Sequence, residues 1–154
     1  MSTTASQSTK VKLSEDMKAA IDGAFGAGKP VAIAYVDAGG APRLSYRGST
    51  QAFSDTQLAI WVRNPAGRIL ESIASNPAVA LIYGDFNPTD RRFMIMRGRA
   101  GRDDRTPTRE RVYANSHEFE QSQDPERKGV AVVIELESVE GFFGGARLNM
   151  QARR

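Results

Sequence analysis

The sequence predicts an α+β barrel, in which antiparallel strands form the core and short helices lie at its periphery. Two observations support this: strand-like segments outnumber helical ones, and no internal repeat or linker divides the chain. A chain of 154 residues is also long enough to bury one sizeable core. We therefore expect one domain with the order helix, three strands, helix, two strands, helix and strand.

The N-terminal part predicts a polar tail followed by a helix. We expect residues 1–12 to be a disordered tail and residues 13–150 to form the domain. Ser14 is a favourable N-cap, and the two acidic residues after it suit the positive end of the helix dipole. Apolar residues at helical spacing continue to Phe25, and Pro30 prevents the helix from resuming.

Six strands are predicted from short apolar or alternating runs bounded by turn residues. The clearest is 57–63, where Leu58, Ile60 and Val62 alternate with the side chains of the other face. The six predicted strands are 31–37, 43–53, 57–63, 78–83, 92–102 and 130–139.

Two further helices are predicted between the strands. Ile69, Leu70 and Ile73 form one apolar stripe in a short helix that follows the turn Asn64-Pro65-Ala66-Gly67. Thr106-Pro107 is a favourable start for another helix, which we expect to run over 106–115.

Composition excludes several classes of site. The sequence has no cysteine, which rules out disulfides, thiolate catalysis and cysteine-bound metals. Its one histidine, His117, rules out a multi-histidine metal site, and we expect it at the surface. We expect no metal site, no signal peptide and no membrane span, and a cytoplasmic location follows as a default.

The basic residues are mostly arginines: of 21, all but Lys10, Lys12, Lys18, Lys29 and Lys128. Arginine grips a phosphate or carboxylate with two hydrogen bonds, although a coding bias explains such a composition equally well. These residues are dispersed and no aromatic platform lies between them, so we expect no nucleic-acid partner.

The segment from the third strand into the next helix is the best candidate for an anion site. Arg63 and Arg68 lie on either side of a four-residue turn that leads into a helix N-terminus. Free N–H groups and the helix dipole favour an anion there, and both guanidinium groups can reach one phosphate. The alternative is that Asn64 only caps the helix and both arginines are solvated.

A second candidate lies in the predicted strand 43–53. Gly48 in mid-strand is costly and often marks the close approach of a ligand, with Arg47 available to an anion or carbonyl. A β-bulge or a barrel corner explains the glycine equally well. The single tryptophan, Trp61, is a core residue more often than a ring partner.

The run YRGSTQAFSDTQLAIWVRNPAGRILESIASNPAVALIY resembles the pyridoxamine 5'-phosphate oxidase-like family, the FMN-binding split barrels. The later MRGRA, residues 96–100, resembles the Gly-Arg-Ala strand of that family. The resemblance covers roughly residues 13–148 and rests on several motifs together. It implies a six-stranded antiparallel split β-barrel that forms a homodimer, with FMN at each subunit interface.

The resemblance also implies cofactor ligands. The second strand of the family lies along the flavin ring, and the third strand with the start of the next helix holds the phosphate. Arg147 resembles a residue that reaches the cofactor of the neighbouring subunit. The cofactor-binding residues so predicted are Arg47, Gly48, Ser49, Trp61, Val62, Arg63, Asn64, Arg68 and Arg147.

The C-terminal stretch departs from the family. Relatives that oxidise pyridoxamine phosphate end in an Arg-x-His pattern near a tryptophan, whereas this chain has Arg147-Leu148-Asn149 and no tryptophan there. We therefore expect an FMN-dependent oxidoreductase acting on another small molecule, with no catalytic base from the protein. A non-catalytic flavin carrier or redox sensor, and a deazaflavin- or haem-binding barrel, are the alternatives.

Overall fold

The computed structural model describes residues 10–152. Residues 1–9 of the predicted tail lie outside this range, and Val11 at the other end of that tail packs into the core. No helix within the described range is long and apolar enough to cross a lipid bilayer.

Four helices are present among the described residues. Ser14 caps the first of them as predicted, because its hydroxyl accepts a hydrogen bond from the Met17 N–H at 3.2 Å. The helices are α1 (Glu15–Asp22), α2 (Arg68–Ser75), α3 (Thr106–Ala114) and α4 (Glu118–Ser122).

Eight strands form one antiparallel sheet, in the order β2-β1-β5-β6-β7-β4-β3 with β8 paired to β7. This sheet with peripheral helices confirms the predicted α+β fold class. The strands are β1 (Ala32–Val36), β2 (Pro42–Tyr46), β3 (Gln51–Ala52), β4 (Gln57–Val62), β5 (Ala78–Asp85), β6 (Arg92–Asp103), β7 (Val130–Phe143) and β8 (Ala146–Gln151).

All six predicted strands are present, and the count rises to eight for two reasons. The predicted strand 43–53 divides into β2 and β3, which lie at opposite edges of the sheet. The chain passes between these edges at Arg47–Thr50, where the Thr50 N–H bonds the Arg47 carbonyl at 3.1 Å. The last predicted strand runs four residues further, to Phe143, and returns through Gly144-Gly145 as β8.

Strand β7 is long enough to hold two partners along one edge. Its first half pairs with β4, from Gln57 opposite Glu135 to Val62 opposite Val130. Its second half pairs with β8, while β6 follows its other edge along almost the whole length. The sheet therefore splits at the middle of β7.

Two glycines allow β6 and β7 to approach each other closely. A Cβ at Gly98 would lie 2.1 Å from the Glu135 carbonyl oxygen, at the register shift of the β6–β7 pair. Gly141 has φ +147° and faces the Phe93 carbonyl in the same way. A bulge of this kind bends a strand and increases its twist, which helps the sheet to curl into a barrel.

Apolar residues from all the longer strands meet on the inner face of the sheet. Met17 and Ile21 of α1 and Ala24 of the turn after it cover one end of this core. A smaller second core lies on the other side of β4, where α3 covers Trp61. Helix α2 contacts β1 and β6.

Candidate functional site

A cavity of 410 Å³ opens where β4 ends and α2 begins. Its volume lies in the range of small-molecule sites, about 300–1,000 Å³. It brings together residues from β1, the β2–β3 crossing, the end of β4, the start of α2 and the segment after α4. The lining residues are Tyr35, Arg47, Val62, Arg63, Asn64, Gly67, Arg68, Ile69 and Gln123.

The turn before α2 leaves the N-terminus of that helix without a side-chain cap. Gly67, not Asn64, is the N-cap, and it has no side chain to bond the first N–H groups. The Asn64 side chain instead accepts the Ala66 N–H at 2.9 Å, and its carbonyl accepts the Gly67 N–H at 2.8 Å. Residues 67–69 at the start of α2 line the cavity. The unbonded N–H groups and the positive end of the helix dipole at this point favour an anion.

Three arginines line this cavity, and none of them forms an ion pair within residues 10–152. Of the other eleven arginines of the described range, five bind a carboxylate and six do not; the five are Arg43, Arg92, Arg97, Arg102 and Arg105. Because unpaired guanidinium groups around one cavity repel each other, an anion bound between them would be stabilised.

Arg47 has the most constrained guanidinium of the three. Its Nε is buried and has no hydrogen-bond partner. Burial lowers the pKa of Arg47, Arg63 lowers it further, and Tyr35 and Glu120 oppose the change. A buried donor without an acceptor is costly, so the group fits an anionic or carbonyl ligand.

These residues fit the phosphate end of a flavin nucleotide. Five of the nine sequence-predicted ligands line the one cavity, and a sixth, Gly48, directly follows Arg47. They supply charged donors and free backbone N–H groups, which are the donor types that a phosphate dianion needs.

The other predicted ligands lie elsewhere or are already engaged. A Cβ at Gly48 would meet Phe25 and the Glu120 carboxylate at 3.0 Å, so protein atoms fill the space beside it. Ser49 is buried and bonded to the backbone of Trp61. Arg147 lies in β8, exposed and outside the cavity.

Trp61 belongs to the second core. Its indole N–H donates to Asp124 Oδ2 at 2.9 Å, its ring meets the edge of Tyr113, and Arg109 lies over its face. The side chain is 3% exposed. Sequence alternation already placed it opposite Leu58, Ile60 and Val62, and the structure shows that this second face is covered by α3.

The cavity includes residues that the sequence did not single out. Tyr35 comes from β1 and Gln123 from the segment after α4, and both are far from the predicted motif along the chain. Tyr35 lies in a short apolar strand, and this position predicts a core residue and not a ligand. Gln123 carries no such signal, because its neighbours in the sequence are polar and follow no pattern.

The described residues that line this cavity include no Ser, Thr, Cys, His, Lys or carboxylate side chain. His117 is exposed as predicted, caps α4, and accepts the Phe119 N–H through Nδ1 at 3.0 Å. Residues 10–152 contain no group of three or more His, Cys, Asp or Glu side chains that could hold a metal ion. The arrangement can bind and orient an anionic group; it shows no nucleophile.

The sequence matches no protein-family model and no curated protein. Solved structures are similar in fold. HupZ of Group A Streptococcus has a TM-score of 0.65 at 19% identity, covering 87% of this chain and 97% of that one. A protein related to general stress protein 26 (pyridoxinephosphate oxidase family) from Clostridium acetobutylicum has a TM-score of 0.63 at 11% identity, covering 90% and 96%.

An FMN-binding protein from Syntrophomonas wolfei is similar to the same degree. Its TM-score is 0.64 at 6% identity, and the match covers 82% of this chain and 86% of that one. The chain therefore has the fold of the pyridoxamine 5'-phosphate oxidase-like and FMN-binding split barrels. This confirms the resemblance at the level of the fold.

Proposed function

We propose that the protein binds FMN and uses it as an oxidoreductase on a small molecule, as a homodimer. The observation that carries the proposal is the cavity at the start of α2, which is lined by three arginines without carboxylate partners. The FMN-binding neighbour named above supports flavin as the ligand class, since it shares the fold.

Arg63, Asn64 and Arg68 hold the phosphate in this proposal. They flank the uncapped N-terminus of α2, where the dipole and the N–H groups add to the attraction of the guanidinium groups. Val62 and Ile69 contribute apolar walls at the same point.

Arg47 is proposed to lie beside the flavin ring. Arg47 is the lining residue with a buried, unpartnered donor, which suits a carbonyl oxygen of the ring. Ser49 and Trp61 position this residue by fixing the start of β3 to β4, since their side chains are bonded inside the protein.

The homodimer is proposed from an apolar area on the outer face of the sheet. Leu44 and Tyr46 are each 73% exposed on β2, and Ile82 is exposed on β5. The strand registers place Tyr46, Ala32, Ile82 and Ile95 in one row across four strands. A contiguous apolar area of this kind is typical of a protein–protein interface.

The dimer and the cavity are connected through β2. Arg47 directly follows Tyr46, so the outer apolar area adjoins the cavity at the end of that strand. A second copy on this area would bring its own residues towards the ring end of the site. Arg147, exposed on β8, is the proposed contribution of the partner copy.

Bound FMN would supply hydride or electron transfer, chemistry that the amino-acid side chains lack. The chain binds and orients the cofactor, and its guanidinium groups hold positive charge beside it. Such a reaction needs no protein nucleophile, consistent with a chain that has no cysteine and one exposed histidine.

The test of the proposal begins with the absorption spectrum of the protein purified without added cofactor, and continues with titrations of FMN and riboflavin. We expect a yellow two-band spectrum, FMN in the heat-released supernatant, and far tighter binding of FMN than of riboflavin, which lacks the phosphate. A colourless protein that takes up neither compound contradicts flavin binding.

Activity requires a second measurement on the loaded protein. We expect NAD(P)H to reduce the bound flavin and an added acceptor to reoxidise it in repeated turnovers. A protein that binds FMN but shows no turnover with a panel of donors and acceptors would instead be a flavin carrier or sensor.

A further inference from the structure

A second cavity, of 430 Å³, lies at the end of the barrel that α1 covers. It shares no lining residue with the cavity of the three arginines. Small residues of α1 and of the turn after it form one wall: Ala19, Ala20, Gly23, Ala24 and Ala27. The other walls come from the β5–β6 hairpin and from Phe143-Gly144, so the cavity is a barrel mouth, a common place for ligand sites.

A buried tyrosine without a partner lines this cavity. Tyr83 on β5 is 3% exposed, and its hydroxyl forms no hydrogen bond to any residue of the described range. Burial raises the pKa of the hydroxyl, Arg92 lowers it, and Asp85 and Asp90 raise it, so the group remains a neutral phenol. The ring is buried but the hydroxyl oxygen is not enclosed by protein atoms, so it opens onto the cavity, where a ligand can provide an acceptor.

Carboxylates exceed cations around the cavity. Asp16, Asp85 and Asp90 line it together with the single guanidinium of Arg92. The two ion pairs of Arg92 are long, at 3.4 Å to Asp85 and 3.8 Å to Asp90, compared with about 2.7–2.9 Å for a strong pair. These carboxylates therefore retain capacity to accept hydrogen bonds from a further cation.

The cation that fits is organic. No three acidic side chains among residues 10–152 form a group that could hold a metal ion. The alanine wall of α1 and the ring of Phe143 offer apolar surface beside the carboxylates. A ligand with an ammonium group and an apolar body could contact both the carboxylates and the apolar surface.

Arg92 indicates a second feature of the ligand. Its Nε is buried, has no hydrogen-bond partner and is the atom that lies 3.8 Å from Asp90 Oδ2, while its guanidinium lies over the Phe143 ring at 5.1 Å. Tyr83 thus offers its hydroxyl to the cavity, and Arg92 offers the terminal nitrogens of its guanidinium. One acceptor oxygen on the ligand can take both hydrogen bonds.

We propose that this barrel-mouth cavity binds a small organic amine that also carries an acceptor oxygen. The ammonium group contacts Asp85 and Asp90, the oxygen accepts from Tyr83 and Arg92, and the apolar body lies against α1. Amino alcohols and amino acids share this chemistry. The site is independent of flavin binding, because the two cavities have separate linings.

Four related compounds test the proposal on the full-length protein by NMR titration, with and without FMN. L-phenylalaninol has the amine and the oxygen, 2-phenylethylamine lacks the oxygen, 3-phenylpropan-1-ol lacks the amine, and 3-phenylpropionate is an anion. We expect saturable binding of L-phenylalaninol, with shifts at the Ala19 and Gly23 amides. The alcohol should bind about tenfold or more weakly, because it lacks the charged hydrogen bonds.

Substitutions separate the two contacts. Tyr83→Phe keeps the buried ring and should weaken L-phenylalaninol several-fold while leaving 2-phenylethylamine unchanged. Asp85→Asn should weaken both amines. Asp104→Asn removes a carboxylate that is bonded to Arg102 outside the cavity and serves as the matched control.

Three results would overturn the proposal. One is the absence of saturable L-phenylalaninol binding at millimolar concentration, and another is 3-phenylpropionate binding as tightly as the amines. The third is L-phenylalaninol binding that Tyr83→Phe and Asp85→Asn both leave unchanged while the folded proteins give native spectra.

Discussion

Ser49 and Trp61 are joined by two hydrogen bonds through a single hydroxyl. Ser49 Oγ accepts the Trp61 N–H at 2.8 Å and donates to the Trp61 carbonyl at 3.1 Å. The serine thus replaces a strand partner at the point where the chain has just crossed from one sheet edge to the other. Ser49 is 2% exposed, so water cannot take over either bond.

We expect Ser49→Ala to lower the free energy of unfolding by about 1–3 kcal/mol, because it leaves a buried N–H and a buried carbonyl without partners. Urea denaturation followed by the fluorescence of the single tryptophan measures this. Ser122→Ala, which removes an exposed hydroxyl, should change stability by less than about 0.5 kcal/mol. Equal stability of the two variants would contradict the role assigned to Ser49.

The phosphate site predicts a selective loss of FMN binding. Arg63→Ala and Arg68→Ala should each weaken FMN by about tenfold or more, since a hydrogen bond to a charged group contributes about 1.5–3 kcal/mol. Riboflavin affinity should stay unchanged in both variants. Arg91→Ala removes an exposed arginine outside the cavity and is the control. Parallel losses for FMN and riboflavin would place the phosphate elsewhere.

The outer apolar area predicts the effect of a charge on assembly. Tyr46→Glu should convert the proposed dimer to a monomer, because a buried unpaired carboxylate is costly at an interface. Sedimentation velocity gives the mass. Phe119→Glu, at an aromatic residue of α4 that is 52% exposed, should leave the mass unchanged. A wild-type protein that sediments as a monomer at high concentration would contradict the dimer.

Asp124 predicts a pH dependence of stability. Its carboxylate accepts N–H groups of Trp61, Lys128 and Gly129, all at 2.9 Å. Burial alone would raise the pKa of Asp124, but these hydrogen bonds outweigh it and the pKa is lowered. The stabilisation is therefore present above the unfolded pKa of about 3.9 and is lost as the pH falls below it.

Urea denaturation of the wild type and of Asp124→Asn at pH 6 and at lower pH tests this. We expect the variant to be less stable at pH 6 by about 2 kcal/mol, and the difference to shrink as the pH falls below about 4. Asp104→Asn should follow the wild type throughout. A constant difference between wild type and Asp124→Asn would show that the charge of Asp124 is irrelevant.

Gly98 and Gly101 provide a matched pair in one strand. Gly98→Ala should prevent folding or cost several kcal/mol, because its Cβ would lie 2.1 Å from the Glu135 carbonyl oxygen. A Cβ at Gly101 would have no atom within 4 Å, so Gly101→Ala should change the free energy of unfolding by at most about 1 kcal/mol. Circular dichroism and thermal denaturation compare them. A stable Gly98→Ala protein would contradict the close β6–β7 approach.

The sequence predicts the helices and strands whose apolar side chains follow a regular spacing. It does not predict the elements whose position depends on close backbone contacts between strands. The alternation of side chains between the two faces predicted β4, and the turn Asn64-Pro65-Ala66-Gly67 predicted the start of α2. The end of β7 was missed because Gly141 interrupts the apolar pattern, although its φ of +147° lets the strand continue past Phe93. Strand β8 was missed with it, because Ala146–Gln151 has no clear alternation and depends on its pairing with β7.

The candidate site likewise contains residues that the sequence predicts and residues that it does not. Arg63, Asn64 and Arg68 are neighbours along the chain, so a local motif predicts them. Tyr35 and Gln123 reach the cavity through the sheet order and the position of α4, which no local pattern encodes. The engagement of Trp61 with Asp124 is also a long-range contact, across 63 positions of the chain.

The divided edge of β7 constrains the order in which the protein assembles. Strand β4 ends at Val62, but the strand it pairs with begins at Val130, so β4 waits for more than sixty further residues to be synthesised. Pairings of such long sequence separation are slow, because the intervening loop must be closed before any contact forms. On the ribosome, the N-terminal half therefore emerges with β4 paired only to the short β3 and open along its other edge, and the domain acquires its binding cavity only when nearly the whole chain is available.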